Sequence, residues 1–193
     1  MQYQDIHDKL IEKSIQGDRD AMSKLVNYYA PDVHRFIFSM LRDADATDDL
    51  AQDTFIRMVT NISSYEHRAP FKSWLFRIAV NVCRDHLRKK KVRRIVSRFA
   101  IDRDSGEEQE FADESPNPLR QVQSLEQREL IEKALQKLPA SSRQVFVLRE
   151  MQEFSYEEIA QALGWRLGTV KSRLFRARKE LAELIGPQLE DES

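Results

Sequence analysis

With 31 basic against 32 acidic side chains and a net charge of −1, this chain of 193 residues is no uniformly basic coat for nucleic acid, so any such surface on it must be local. One cysteine, Cys83, excludes an intramolecular disulfide framework, and its place in an apolar helical stripe marks it as a small buried hydrophobe rather than a reactive thiol. No run approaches the ~20 apolar residues of a membrane span, and the acidic N-terminus (Asp5, Asp8, Glu12) has no signal or transit pattern, which predicts a cytoplasmic protein.

Apolar residues recur at intervals of three and four and β-branched alternation is absent, which predicts an all-α chain. Ile6, Leu10, Ile11 and Ile15 mark a first helix, broken at Gly17-Asp18. Met22, Leu25, Val26 and Tyr29, then Phe36, Ile37, Met40 and Leu41, carry the pattern on to a second break at Leu41 to Thr47, where Thr47 is the expected cap before Asp48 and Asp49. Leu50, Phe55, Met58, Val59 and Ile62 continue the helical spacing after it. Ser63 to Pro70 is a loop, and a long helix opens at Phe71 or Lys72 and runs to about Lys91. Its expected buried stripe is Phe71, Trp74, Leu75, Ile78, Ala79, Val82 and Leu87.

Charge then segregates. Arg84, Arg88, Lys89, Lys90, Lys91, Arg93, Arg94 and Arg98 face a single acid, Asp85, and the acidic stretch from about Asp102 to Pro118 follows. That stretch lacks periodicity and holds Gly106, Pro116 and Pro118, as a flexible linker would. Helices resume over Val122 to Leu138 and from Pro139 onward, with Val145, Phe146 and Leu148 buried. The expected organisation is two small helical domains, 1–97 and 120–188, joined by an acidic linker over 98–119.

The most informative segment runs from Ser155 to Arg178. Ser155 can cap a helix whose first turn carries Glu157 and Glu158, where the helix dipole favours negative charge. Gly164 stands where the chain must turn through a left-handed conformation. From Thr169, Val170, Leu174, Ala177, Leu181 and Leu184 share one narrow stripe, opposite Lys171, Ser172, Phe175 and Lys179 and flanked by Arg173, Arg176 and Arg178. Two short helices with cations confined to the second describe a helix-turn-helix, in which the second helix reads base edges. A helical hairpin with a solvated basic face is the plainer alternative. Phe175 favours DNA, because an aromatic ring on a polar face needs something to touch, such as a thymine methyl.

Opposite the expected buried stripe of the long helix lie Lys72, Arg77, Asn81, Arg84, Asp85 and Arg88, preceded by Tyr65, His67 and Arg68. Aromatic rings that stack bases, beside cations that follow a backbone, suit a single-stranded nucleic acid; a solvated amphipathic helix would look similar. Catalytic and metal chemistry is not visible. His7, His34, His67 and His86 have no paired spacing. Asp43-x-Asp45 fails as a calcium loop, with Asp48 for its glycine and Thr54 for its glutamate. No glycine loop or nucleophile motif occurs, so no enzyme activity, cofactor, metal or small-molecule substrate is expected.

Asp49-Leu50-Ala51-Gln52-Asp53-Thr54-Phe55-Ile56-Arg57, Phe71 to Asn81, Leu138-Pro139 and Tyr156 to Arg178 occur in this order. Together they resemble the extracytoplasmic-function (ECF) sigma factors of the bacterial sigma-70 family, over nearly the whole chain. The resemblance implies a region 2 domain that docks on the β′ clamp helices of core RNA polymerase and recognises and melts the −10 promoter element. It also implies a region 4 domain that binds the β flap and reads the −35 element. By position, Asp49, Gln52, Asp53 and Arg57 would face polymerase. Tyr65, Lys72, Trp74, Arg77, Asn81, Arg84 and Arg88 would serve the −10 element, Tyr65 and Asn81 holding a flipped-out base. Arg149, Thr169, Lys171, Ser172, Phe175, Arg176 and Lys179 would serve the −35 element. The acidic linker would imitate nucleic acid in the polymerase channel, and family habit adds an anti-sigma factor, in some cases at the inner membrane.

Two departures stand out: Lys171 offers a point charge where an arginine would offer a fork, and Trp165-Arg166-Leu167 puts bulk in the turn. A LuxR-like helix-turn-helix regulator, which shares the Glu-Ile-Ala and Thr-Val-Lys pattern, and a small nucleic-acid enzyme are the rival readings.

Overall fold

Asp18 shows how locally the helices are set. Its extended backbone (φ −64°, ψ 111°) turns its carboxylate onto the free N–H groups of Asp20 and Ala21, starting one helix with only three residues between it and the last. The computed structural model describes residues 2–100 and 120–190. In the first part α1 (Gln2–Ile15), α2 (Arg19–Leu41), α3 (Ala44–Asn61) and a 3-10 turn (Ile62–Ser64) lead to the long α4 (Phe71–Ala100). In the second, α5 (Arg120–Lys137), α6 (Ala140–Phe146), a π-helical turn (Val147–Met151), α7 (Tyr156–Leu163) and α8 (Leu167–Glu190) follow. No strand occurs among the described residues, as the helical periodicity requires. The acidic linker and the domain limits drawn at its ends centre on residues 101–119, outside the described residues.

The first domain closes over Leu25, Val33, Phe36, Ile37 and Met40 of α2, Met58 of α3 and Leu75, Phe76 and Ala79 of α4, all fully buried. Each such aliphatic or aromatic side chain contributes about 1.5–3 kcal/mol relative to exposure. The second closes over Leu135, Leu138, Val145, Leu148, Ile159, Val170, Leu174 and Ala177. Cys83 is buried in α4, and that burial pushes its thiol up to about 12, as expected of an inert side chain.

Several expectations need correction. Asp43, not Thr47, caps α3: Asp43 is extended (φ −143°) and accepts from Ala46 N–H, while Thr47 lies inside the helix, fully buried, donating its hydroxyl to the Asp43 carbonyl at 2.7 Å. Val59 is 46% exposed, beside Ile56 at 64%. The buried stripe of α3 runs through Thr47, Thr54 and Met58, and Val59 stands one helical step round from it. The long helix also has a second buried side, Phe76, Val80 and Cys83. Phe76 meets Phe154 edge to face at 5.0 Å, so the cores of the two domains join.

Candidate nucleic-acid interface

The helix-turn-helix is built as its residues require. Ser155 Oγ accepts from Glu158 N–H at 3.1 Å, and Glu158 Oε2 accepts from Ser155 N–H at 2.7 Å, a reciprocal capping box that starts α7. Gly164 ends α7 at φ 66°, ψ 35°, where a Cβ would be strained. Trp165, half-buried in the turn, lies under the guanidinium of Arg173, 4.8 Å away, so its bulk is packed rather than presented to solvent. Val170, Leu174, Ala177 and Leu181 anchor α8 in the core.

The opposite face of α8 is open. Lys171, Ser172, Phe175, Arg176 and Lys179 are exposed, Phe175 at 71%, and Thr169 is half-buried at the helix start. A phenylalanine left that bare forgoes ~2 kcal/mol of burial, a cost that a contact surface explains. Arg149 is engaged within its own domain. It sits in the π-helical turn, donates to the Phe154 carbonyl at 2.7 Å and stacks 5.0 Å from the Tyr156 ring, so it braces the entry to α7. Arg178 is likewise committed, to Glu150, and that hydrogen bond holds its guanidinium above its usual range.

On the first domain, the loop after the 3-10 turn is folded back on itself. Tyr65 donates its hydroxyl to the Ala69 carbonyl at 2.7 Å, and His67 between them adopts a left-handed backbone (φ 49°). Tyr65 is only 9% exposed, its ring packed 5.3 Å from Phe71 and 5.5 Å from Trp74, so it is not the open stacking platform expected. Burial raises its phenol above the ordinary range. A cavity of about 520 Å³ opens beside it, lined among others by Tyr65, Arg68, Trp74 and Arg77. Asn81 and Arg88 are exposed on α4; Lys72 and Arg84 are half-buried, and they and Arg77 reach the second domain.

On α3, Asp49 and Gln52 are exposed, while Asp53 and Arg57 form a two-pronged pair at 3.0 and 2.9 Å. Arg57 also reaches to 4.0 Å from Asp85 of α4, which pairs with Arg88. Ile56 and Val59 extend the Gln52 face with exposed apolar surface. Sequence reasoning did not single them out; the signal that could have found them is that 52, 56 and 59 share one helix face.

Two surfaces thus stand out, the exposed cationic face of α8 in a helix-turn-helix and a ring-lined cavity among cations beside α4. Comparison with known proteins narrows this. The sigma-70 region 2 family model matches residues 25–93, and the sigma-70 region 4 model matches residues 128–181. The ECF RNA polymerase sigma factor SigW of Bacillus subtilis is 34% identical over 183 residues, covering 92% of this chain and 95% of the relative. Among solved structures, CnrH in complex with the cytosolic domain of CnrY is similar at TM-score 0.68 and 26% identity, covering 92% of this chain and 96% of that one. The sigma factor RpoE of Bartonella quintana, in complex with the anti-sigma factor NepR, is similar at TM-score 0.66 and 28% identity, covering 85% and 96%. The chain belongs to the ECF sigma factors of the sigma-70 family. The LuxR-like reading falls away, because the match runs through both domains.

Proposed function

We propose that this chain docks on core RNA polymerase and directs initiation at promoters carrying −10 and −35 elements of its own choice. The observation that carries this reading is the bare recognition face of α8, with Lys171, Phe175 and Arg176 exposed over a buried Val170–Leu174–Ala177 stripe. In this reading α8 reads duplex at −35, Arg176 at a base edge and Lys171 and Lys179 on phosphates. Asn81, exposed on α4 and able both to donate and to accept, reads an extruded −10 base. Lys72, Arg77, Arg84 and Arg88 hold the backbone, and Tyr65 supports the cavity loop from beneath. Asp49, Gln52 and the Asp53–Arg57 pair meet the β′ clamp helices, with Ile56 and Val59 as the apolar part of that contact; Arg149 orients the helix-turn-helix from within, beside the β flap contact.

The activity is one of binding and melting, without catalysis, cofactor or small-molecule substrate, and it belongs in the bacterial cytoplasm. No described helix is long and apolar enough to cross a membrane. The solved relative RpoE is bound to the anti-sigma factor NepR, and we extend that mode of control to this chain, with an anti-sigma factor able to hold it at the inner membrane. Co-purification tests the reading. The chain should elute with core polymerase, and Ile56→Asp with Val59→Asp should weaken that association at least tenfold with helicity intact. Elution apart from core polymerase would overturn it.

A further inference from the structure

The cavity beside Trp74 has a neighbour across the same loop. This second one, of about 600 Å³, is lined among others by His7 and Asp8 of α1, Tyr28 and Tyr29 of α2, and His67 and Arg68 of the loop. Tyr65, Arg68 and Ala69 line both cavities. Rings join the two in an unbroken series. Trp74 lies 5.5 Å from Tyr65, Tyr65 5.3 Å from Phe71, Phe71 5.6 Å from Tyr29 and Tyr29 4.9 Å from Tyr28. Tyr65, Phe71 and Tyr29 are buried, whereas Tyr28, at the far end, is 66% exposed.

That far end is built to receive a flat ring. Tyr28 is propped by Tyr29, edge to face at 84°, and by His7 at 5.6 Å. His7 Nε2 and the Tyr29 hydroxyl share a hydrogen bond at 2.7 Å, which fixes the props to each other. Neither acid of the cavity stands alone. Asp8 lies 3.6 Å from His7 Nδ1, and Glu158 accepts from Ser155 N–H at 2.7 Å. His67 holds a left-handed backbone (φ 49°) with its ring 4.7 Å from Tyr65, a strain of the kind that functional loops retain. Lys72 lines the cavity too, but its Nζ is given to the Gln152 carbonyl. Arg68 is better placed for a phosphate. Its side chain is 86% exposed and paired with Glu66 at 2.7 Å, and an exposed pair of that sort contributes little and is readily exchanged. A propped, exposed ring beside an exposed cation suits the π face of an unpaired base and the backbone that carries it.

We propose that this cavity is a second base site. A nucleobase adjoining the extruded one in the melted strand stacks on Tyr28, and Arg68, common to both cavities, takes the phosphate between them. This rests on the reading of α4 and its loop as the −10 surface, and it gives α1 and α2 a share in holding the open strand. A second stacked base offsets a second step of the stacking lost on melting, so the site acts on the persistence of the open state rather than on duplex binding.

The test uses holoenzyme reconstituted from the full chain and core polymerase on a promoter fragment that it selects, with 5-iodouracil placed at one non-template position at a time across the melted region. Ultraviolet light should join the strand to Tyr28 from a position next to the one that joins at the cavity beside Trp74, as read by peptide mapping. Tyr28→Ala should shorten the lifetime of the open complex at least fivefold, with helicity, core association and −35 duplex binding unchanged. Tyr28→Phe keeps the ring and should keep the lifetime. Joining at none of His7, Tyr28 and His67 from any position, or a wild-type lifetime with Tyr28→Ala, would overturn the second site and leave the first standing. An equal loss in Tyr28→Phe would assign the effect to the hydroxyl and overturn stacking. Unmelted DNA with the wild-type chain would overturn the promoter-melting reading and this proposal with it.

Discussion

Arg176 and Arg149 carry the same charge and share one expected task, yet their surroundings separate them. Arg176 is exposed on the bare face of α8, whereas Arg149 is spent on the Phe154 carbonyl and the Tyr156 ring. Arg176→Ala should therefore weaken duplex −35 binding by about 1–3 kcal/mol with thermal stability unchanged, as read by fluorescence anisotropy and calorimetry. Arg149→Ala should lower thermal stability as well. Asp18 gives a pH signature of its own. The Ala21 N–H, with that of Asp20, holds its carboxyl below the usual carboxylate range. The folded pKa being depressed, the stabilisation is present above the unfolded value near 4 and is lost as pH falls through the folded one. Amide exchange at the start of α2 should accelerate in that acid window, and Asp18→Asn should remove the acceleration.

At the scale of elements, α7 stands on its capping box and α4 on two cores. Ser155→Ala should cost ~1 kcal/mol in chemical denaturation, and it should loosen the angle between α7 and α8. Along α4 and its loop, Asn81→Ala should leave the melting temperature unchanged, since the side chain is exposed, while Tyr65→Ala should destabilise by ~3 kcal/mol because its ring lies within the Phe71 and Trp74 cluster. Ser155, Gly164 and the α8 stripe were legible in the sequence because caps and helical periods are set by residues within a few positions of one another. Thr47 was the expected cap at the break before α3, and the extended backbone at Asp43 puts the cap there instead. The buried side of α4 through Phe76 was illegible for another reason. Its partner Phe154 belongs to the other domain, and no local period records a contact across that separation. For the same reason Lys72, Arg77 and Arg84 looked free in the sequence, whereas the structure engages each of them.

For the whole molecule, two small reading surfaces gain by being held at a fixed spacing. In the proposed function each alone binds weakly, and a scaffold that sets their separation turns the second contact into an intramolecular one. In this reading core polymerase is that scaffold. Opening the duplex costs about 1.4 kcal/mol of stacking per step, which Asn81 and the cavity beside Tyr65 would offset by holding an extruded base. The most direct measurement is permanganate reactivity of thymines around the start site, with holoenzyme reconstituted from this chain and core polymerase on genomic promoter fragments that it selects. Reactive thymines should appear with wild-type chain, be absent with core polymerase alone, and fall at least tenfold with Asn81→Ala although that variant still binds polymerase and −35 duplex. Unmelted DNA with wild-type holoenzyme, or full reactivity with Asn81→Ala, would contradict promoter melting by the α4 surface.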